Sequence, residues 1–190
     1  MTLGVVLAAG ASRRFGRDDK LLAGLDGRAL VDHALQALQL ARLDARAVVA
    51  HAPGVADLAR ARGIAVIEVA TGGVQSDSLR AAVGHAQAIG ASRLLIMLGD
   101  MPGVSVGDLD RLLAGPIDLA RCTGDGDLAM PPAVFPAAWF DRLSTAQGDA
   151  GARPFLRAIP PEARLALAQG HLHDVDTPED LARARPDPAV

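Results

Sequence analysis

Leu3-Gly4-Val5-Val6-Leu7-Ala8-Ala9-Gly10-Ala11-Ser12-Arg13-Arg14-Phe15-Gly16-Arg17-Asp18-Asp19-Lys20 is an aliphatic run that opens into a loop rich in glycine and arginine. The continuous apolar stretch over 3–8 reads as a strand buried on both faces. The loop after it suits an anion such as a phosphate. Glycine lets backbone N–H groups approach a ligand closely, arginine offers a rigid donor fork, and lysine offers a point charge. The chain carries a formal net charge of -3, so Arg13, Arg14, Arg17 and Lys20 form a local concentration of positive charge rather than part of a basic surface. The same composition also suits a solvated turn between a strand and a helix.

Outward from this stretch, short apolar runs alternate with amphipathic segments. Leu30, Val31, Ala34, Leu35, Leu38 and Ala41 recur at helical spacing and predict a helix over 29–43. Strands are predicted over 45–50, 64–69 and 93–98, with a short helix over 55–62. Ser76 is the expected cap of a helix through Leu79, Ala82, Val83 and Ala86 that Gly90 ends. A helix over 108–113 and a weaker strand over 117–122 follow. Strands separated by helices indicate crossover units, hence a three-layer α/β/α fold with a mostly parallel sheet. The second half is less regular. Pro131-Pro132 interrupts 129–135, which reads as an edge strand or an extended loop. A helix over 136–143 and a late strand over 164–168 are expected. Thr177-Pro178-Glu179-Asp180 is a helix start, with a capping hydroxyl, proline at the first helical position and an acid three residues after the cap.

The 190 residues fit one domain spanning 1–190, with 185–190 as a frayed tail. Half the residues are apolar, which argues against disorder. Aromatics are few, Trp139 and four Phe with no Tyr, which argues against a stacking platform for single-stranded nucleic acid. The acidic balance argues against a duplex-binding surface. Cys122 stands alone, so neither a disulfide framework nor a cysteine zinc site is expected. No apolar run is long enough to span a bilayer, and a soluble cytoplasmic protein with no membrane partner is the expectation.

Ligands of open α/β sheets bind beyond the carboxyl ends of the strands. Three polar clusters fall there: 10–20, 99–102 and 171–176. Carboxylates that hold a hard cation beside a basic loop that holds phosphate oxygens suit metal–phosphate chemistry. Asp100 is a candidate Mg²⁺ ligand, or an aspartate that caps its own turn. Asp174 and Asp176 share a face of an extended segment; Asp176 is the candidate functional group, and Asp174 reads as solvated. His171 and His173 also share a face, but a zinc site would need ligands from elsewhere. His33, His51 and His85 read as ordinary surface or edge residues. A Gly-x-Ser-x-Gly elbow is absent, and so is the P-loop order. Gly10 and Gly16 are six apart, which does not make the glycine triplet of a dinucleotide fold.

Leu7-Ala8-Ala9-Gly10, Ser12-Arg13-Arg14, Gly16 and Lys20-Leu21-Leu22 resemble the signature of the sugar-nucleotide-type nucleotidyltransferases. Within that superfamily the chain most resembles the enzymes that attach CMP or GMP to molybdopterin. Leu98-Gly99-Asp100-Met101-Pro102 is similar to their second motif, Gln75-Ser76-Asp77-Ser78-Leu79-Arg80 to the segment on the nucleobase side, and Asp174-Val175-Asp176-Thr177-Pro178-Glu179-Asp180 to the closing motif. Gly148-Asp149-Ala150-Gly151-Ala152-Arg153 resembles a loop of the cytidylyltransferase branch. The resemblance implies a Rossmann-like nucleotidyltransferase fold and a reaction in which a phosphate of the acceptor attacks the α-phosphate of an NTP and pyrophosphate leaves. It implies nucleotide binding by Leu7, Ala8, Ala9, Gly10, Ala11, Ser12, Gln75, Ser76, Ser78 and Asp100, and catalytic roles for Arg13, Lys20 and Asp100. It further implies Mg²⁺ on Asp100 and Asp176, and acceptor binding by Asp149 and Arg153. Ala9 and the 148–153 loop favour CTP over GTP, and a molybdenum enzyme is an implied partner. Two positions depart from the family pattern: Val74 stands where glycine is frequent before Gln75, and Met130 fills a glycine slot ahead of Pro131. Two other readings stand beside this one, nucleotidyl transfer to a different phosphorylated acceptor and a non-catalytic nucleotide-binding partner of a molybdenum enzyme.

Overall fold

In a computed structural model of the chain, residues 1–10, 15, 19–125, 128–168 and 170–184 are described. The first strand, β1 (Thr2–Ala8), has parallel neighbours on both sides, β4 (Ala45–Ala50) and β6 (Arg93–Leu98). Two short strands, β2 (Gly24–Leu25) and β3 (Arg28–Ala29), form a separate antiparallel ribbon. Among the described residues the main sheet has seven strands in the order β5-β4-β1-β6-β8-β7-β9, with β5 at Ala65–Glu68, β7 at Arg121–Asp125, β8 at Leu128–Pro136 and β9 at Arg164–Ala166. β8 pairs antiparallel with both β6 and β7, while β7 and β9 are parallel. Within that sheet β8 alone therefore runs against the other six strands, and the sheet is mostly parallel, as the alternating pattern implies.

Side-chain alternation along the strands sorts the helices into two outer layers. Val6 and Ala8 of β1 and Val48 and Ala50 of β4 point to the face covered by α1 (Leu30–Leu40), α2 (Pro53–Ala61) and α4 (Val106–Leu113). Leu3, Val5, Ala47 and Val49 point to the other face, covered by α3 (Gln75–Ala88), α5 (Phe140–Ser144) and α6 (Arg153–Arg157). Leu35, Leu38, Leu94, Ile96 and Phe135 are fully buried; each such side chain contributes about 1.5–3 kcal/mol relative to exposure. Among the described residues, no helix is long and apolar enough to cross a membrane.

Several local expectations change. The helix expected over 29–43 ends at Leu40, where Arg46 donates to the carbonyls of Leu38 (3.0 Å) and Ala41 (2.7 Å) and closes the last turn. Ser76 does not cap α3. It sits in the first turn, fully buried, and the Asp77 carboxylate reaches back instead to accept from the Val74 N–H at 2.9 Å. The strand expected over 117–122 begins only at Arg121; Ile117 and Leu119 lie in a turn, 71% and 51% exposed. The helix expected over 136–143 opens as a 3₁₀ turn, Ala137–Trp139, before α5.

β8 is an interior strand rather than an edge. Its pairing with β7 shifts between Cys122 and Thr123, so Pro131 and Pro132 fall in the irregularity where no ladder N–H is required. The Thr123 hydroxyl approaches the carbonyls of Met130 (3.0 Å) and Pro131 (2.8 Å) and satisfies the interruption from inside. His33 is likewise not a surface residue. It is 1% exposed on α1, its Nε2 lies 3.1 Å from the Leu25 carbonyl, and burial, the largest influence on it, holds the imidazole below its ordinary pKa.

Candidate active site

β1 and β6 stop at one level. Leu7 is paired with Leu98, and the Gly99 N–H donates to the Leu7 carbonyl at 3.1 Å. Beyond that level the chain leaves β1 toward Gly10 and leaves β6 toward Asp100. Lys20 enters from the 3₁₀ turn Lys20–Leu22, which Asp19 caps by accepting from the Leu21 N–H at 3.0 Å. Asp176 enters from the opposite side, directly before α7 (Pro178–Arg183). The Asp180 carboxylate fixes that entry by accepting from the Thr177 N–H at 2.9 Å and the Asp176 N–H at 3.2 Å. The expected helix start at Thr177 is thus present, and it places Asp176.

These groups converge. The Lys20 ammonium lies 2.8 Å from Asp100 Oδ2 and 3.2 Å from Asp176 Oδ1. The Lys20 side chain is only 10% exposed, against 20% for Asp100. Burial pulls the Lys20 pKa down, but attraction and hydrogen bonding from Asp100 and Asp176 outweigh it, and the net shift is upward. The ammonium therefore stays charged. Asp100 Oδ1 is buried and has no hydrogen-bond partner. An unsatisfied buried acceptor costs about 1–3 kcal/mol, more when charged, so it marks a position built for something other than stability. Asp174 adds a third carboxylate, exposed but partly stripped of hydration by the cleft; that desolvation first, then repulsion from Asp100 and Asp176, raises its pKa. Three carboxylates against one ammonium leave the corner overloaded with negative charge.

The corner lies in a cleft of about 760 Å³. Leu7, Ala8, Ala9, Gly10, Lys20, Gln75, Ser78, Asp100, Asp149, Arg153 and Asp176 all line it, so the cleft gathers residues from six separate stretches of sequence. Ser76, expected beside them, does not line the cleft; its hydroxyl is buried without a hydrogen-bond partner. Ala11, Ser12 and Arg13 lie outside the described residues. The far wall comes from the start of β8, with Leu128, Ala129, Met130 and Pro131, and from the stretch leading into α6. There Gly151 has φ 52°, and a Cβ on it would lie 3.0 Å from Gln75 Oε1, so glycine brings this loop against α3.

Asp174 reads as solvated and is exposed, and it also lines the cleft. One lining residue escapes the sequence reading. Arg157 follows Arg153 by one helical turn on α6 and lines the same cleft. The i, i+4 spacing is the signal that finds it. His171 does not face the carboxylate corner; its Nδ1 lies 2.7 Å from Asp108 Oδ2. Among the described residues, no group of three or more His, Cys, Asp and Glu side chains is gathered closely enough to hold a metal alone.

A mostly parallel sheet flanked by helices, with its cleft beyond the strand ends, is the fold of the NTP transferases. The chain belongs to that class, and more narrowly to the family described as the MobA-like NTP transferase domain, whose model matches residues 4–166. It is 32% identical over 199 aligned residues to the purine catabolism protein PucB of Bacillus subtilis, covering 96% of this chain and 95% of that one. It is 33% identical to the nicotine blue oxidoreductase of Paenarthrobacter nicotinovorans, over 95% of this chain and 94% of that one. The crystal structure of Rv0371c from Mycobacterium tuberculosis superposes with a TM-score of 0.80 at 29% identity, covering 96% and 95% of the two chains. A structure of the same protein in complex with manganese gives 0.75 at 27% identity, covering 96% of each chain.

Proposed function

We propose that this chain transfers a nucleoside monophosphate from an NTP to a phosphorylated acceptor and releases pyrophosphate, with a divalent cation bound at the Lys20–Asp100–Asp176 corner. The observation that carries the reading is the buried, unpartnered Oδ1 of Asp100, 20% exposed as a side chain, beside a charged lysine in the cleft. The residues present fit a hard cation. Asp100 and Asp176 would hold it, and triphosphate oxygens would complete the shell, since two carboxylates plus substrate phosphates is how Mg²⁺ is commonly held. Bound there, the cation supplies Lewis-acid stabilisation of phosphate charge. The manganese complex of Rv0371c supports a divalent cation in this fold.

The remaining work falls to side chains of the chain. Backbone N–H groups after β1 bind the β- and γ-phosphates. Lys20, held by the Asp100 and Asp176 carboxylates, meets the charge that develops on the transferring phosphate. Arg13 is proposed to assist it from the same loop. Gln75 and Ser78 face the base, and Asp149, Arg153 and Arg157 face the acceptor from across the cleft. No protein group needs to form a covalent intermediate; positioning and electrostatics carry phosphoryl-type transfer.

The finer reading takes CTP as donor and molybdopterin as acceptor. Ala9 lines the cleft on the base side, where its methyl group narrows the approach and suits the smaller pyrimidine. Mis-sizing a purine against that wall costs about 100-fold in kcat/KM. The test is pyrophosphate release with each of the four NTPs, Mg²⁺, and either molybdopterin or simple phosphorylated acceptors such as a sugar phosphate. Turnover with CTP and molybdopterin supports both levels. Turnover with another base or acceptor overturns the finer reading alone, and no turnover with any pair overturns nucleotidyl transfer itself.

A further inference from the structure

Residues 170–176 carry Asp174 and Asp176 to the cleft with no helix or strand among them. Something else must fix their height over the Lys20–Asp100 pair. At one end the capping contacts of α7 do so. In the middle the Val175 N–H donates to the Asp100 carbonyl at 2.9 Å, and the Val175 side chain, 2% exposed, packs with Leu25 and Leu30. At the other end His171 Nδ1 lies 2.7 Å from Asp108 Oδ2.

Asp108 is a rigid anchor. It is 6% exposed in the first turn of α4, and its Oδ2 also accepts from the Ser105 N–H (3.1 Å) and hydroxyl (2.8 Å). Arg111 Nη1 stands 3.8 Å from its other oxygen. α4 begins just beyond Asp100, so one anchor serves the loops of both cation-side aspartates. The backbones are in close contact here as well. A Cβ on Gly103 would lie 2.9 Å from the Gly170 carbonyl oxygen and 3.0 Å from His171 Cα, an approach that only glycine permits.

We propose that His171 and Asp108 form a positioning pair that sets the Asp174–Asp176 segment against Asp100 and thereby the affinity of the cleft for a divalent cation. The proposal rests on the cation reading given under Proposed function. The pair touches neither cation nor substrate; it acts through the backbone it holds.

The test uses the full chain and Mn²⁺ alone, followed by electron paramagnetic resonance, together with amide hydrogen exchange at Val175. His171→Phe keeps a ring and removes the donor. It should weaken Mn²⁺ binding about tenfold, the scale of lost outer-shell support, and speed exchange of the Val175 amide. His171→Asn returns an N–H donor near the Nδ1 position and should restore both readouts, which a general packing defect would not allow. Wild-type Mn²⁺ affinity and Val175 protection in His171→Phe overturn the proposal, as does a His171→Asn variant no better than His171→Phe. Failure of the wild-type chain to bind Mn²⁺ both alone and with an NTP present overturns the cation reading itself; intact wild-type binding with an indifferent His171→Phe overturns this inference alone.

Discussion

The two halves of the sheet differ in how they meet the cleft. In the β5-β4-β1-β6 half the strands are parallel, and the chain leaves β1, β5 and β6 toward residues that line the cleft, Gly10, Gly73 and Asp100. In the β8-β7-β9 half, β8 is reversed and delivers its beginning, with Met130 and Pro131 on the wall. The first half supplies Asp100 and the end of β1, which are groups for charge. The second half, with the stretch into α6, supplies an apolar wall and two guanidinium groups, which are groups for shape and recognition. The division suggests that substitutions in one half change how fast transfer runs, and substitutions in the other change what receives the nucleotide.

The largest effect expected from this division is at Asp100. Asp100→Asn keeps the volume and leaves Lys20 paired with Asp176, so the fold should survive. Turnover should fall by about 10³-fold or more for every acceptor, because a neutral amide ligates Mg²⁺ poorly and phosphate charge goes uncompensated. Pyrophosphate release beside a melting curve measures both; near-normal turnover with unchanged Mg²⁺ dependence would remove the charge role from the parallel half. Lys20→Ala comes next. Loss of one preorganised cation costs about 10²–10³ in kcat, with a smaller change in KM for the NTP. Equal damage to KM and kcat would make Lys20 a binding residue only.

Arg157→Ala should sharpen the contrast from the other side. It should raise KM for the acceptor about tenfold, the worth of one exposed charge-assisted contact, and leave KM for the NTP alone. A change confined to the NTP would erase the distinction between the halves. The smallest effect is at His33, which belongs to the parallel half but lies away from the cleft. Burial lowers its folded-state pKa below the ordinary 6.5. Above pH 6.5 the ring is neutral in both folded and unfolded states and its contribution to stability is fully present. As pH falls below that value the unfolded chain takes up the proton first, and stability declines until the folded pKa is reached. His33→Gln, which keeps a donor but cannot titrate, should flatten the decline seen in urea denaturation between pH 7 and 5. An unchanged slope would mean that other groups set it.

The same contrast governs what the sequence discloses. β1, β4, β6 and the crossover helices are legible because strands buried on both faces write continuous apolar runs, and helices write a 3.6-residue period. β8 misleads because Pro131-Pro132 argues for an edge. The register shift at Cys122/Thr123 and the Thr123 hydroxyl that absorb the prolines are tertiary facts. Ile117 and Leu119 imitate a strand but lie in a turn. At the site, Lys20, Asp100 and Asp176 are legible as loop residues beside ordered elements, and the structure brings all three within hydrogen-bonding reach. Asp174 is legible as a solvated carboxylate, but an extended segment does not show in its own sequence which of its faces a cleft receives. Ser76 is misread because the α3 cap is formed from behind, by Asp77.

The reversed strand has a consequence for how the cleft can vary. β8 begins on the wall of the cleft with Leu128, Ala129, Met130 and Pro131, in the half of the sheet away from the β1 end, so the residues that open it can change without disturbing that end. A fold arranged this way keeps its charge-handling floor apart from the strand that shapes the opposite wall, so the two can be altered one at a time.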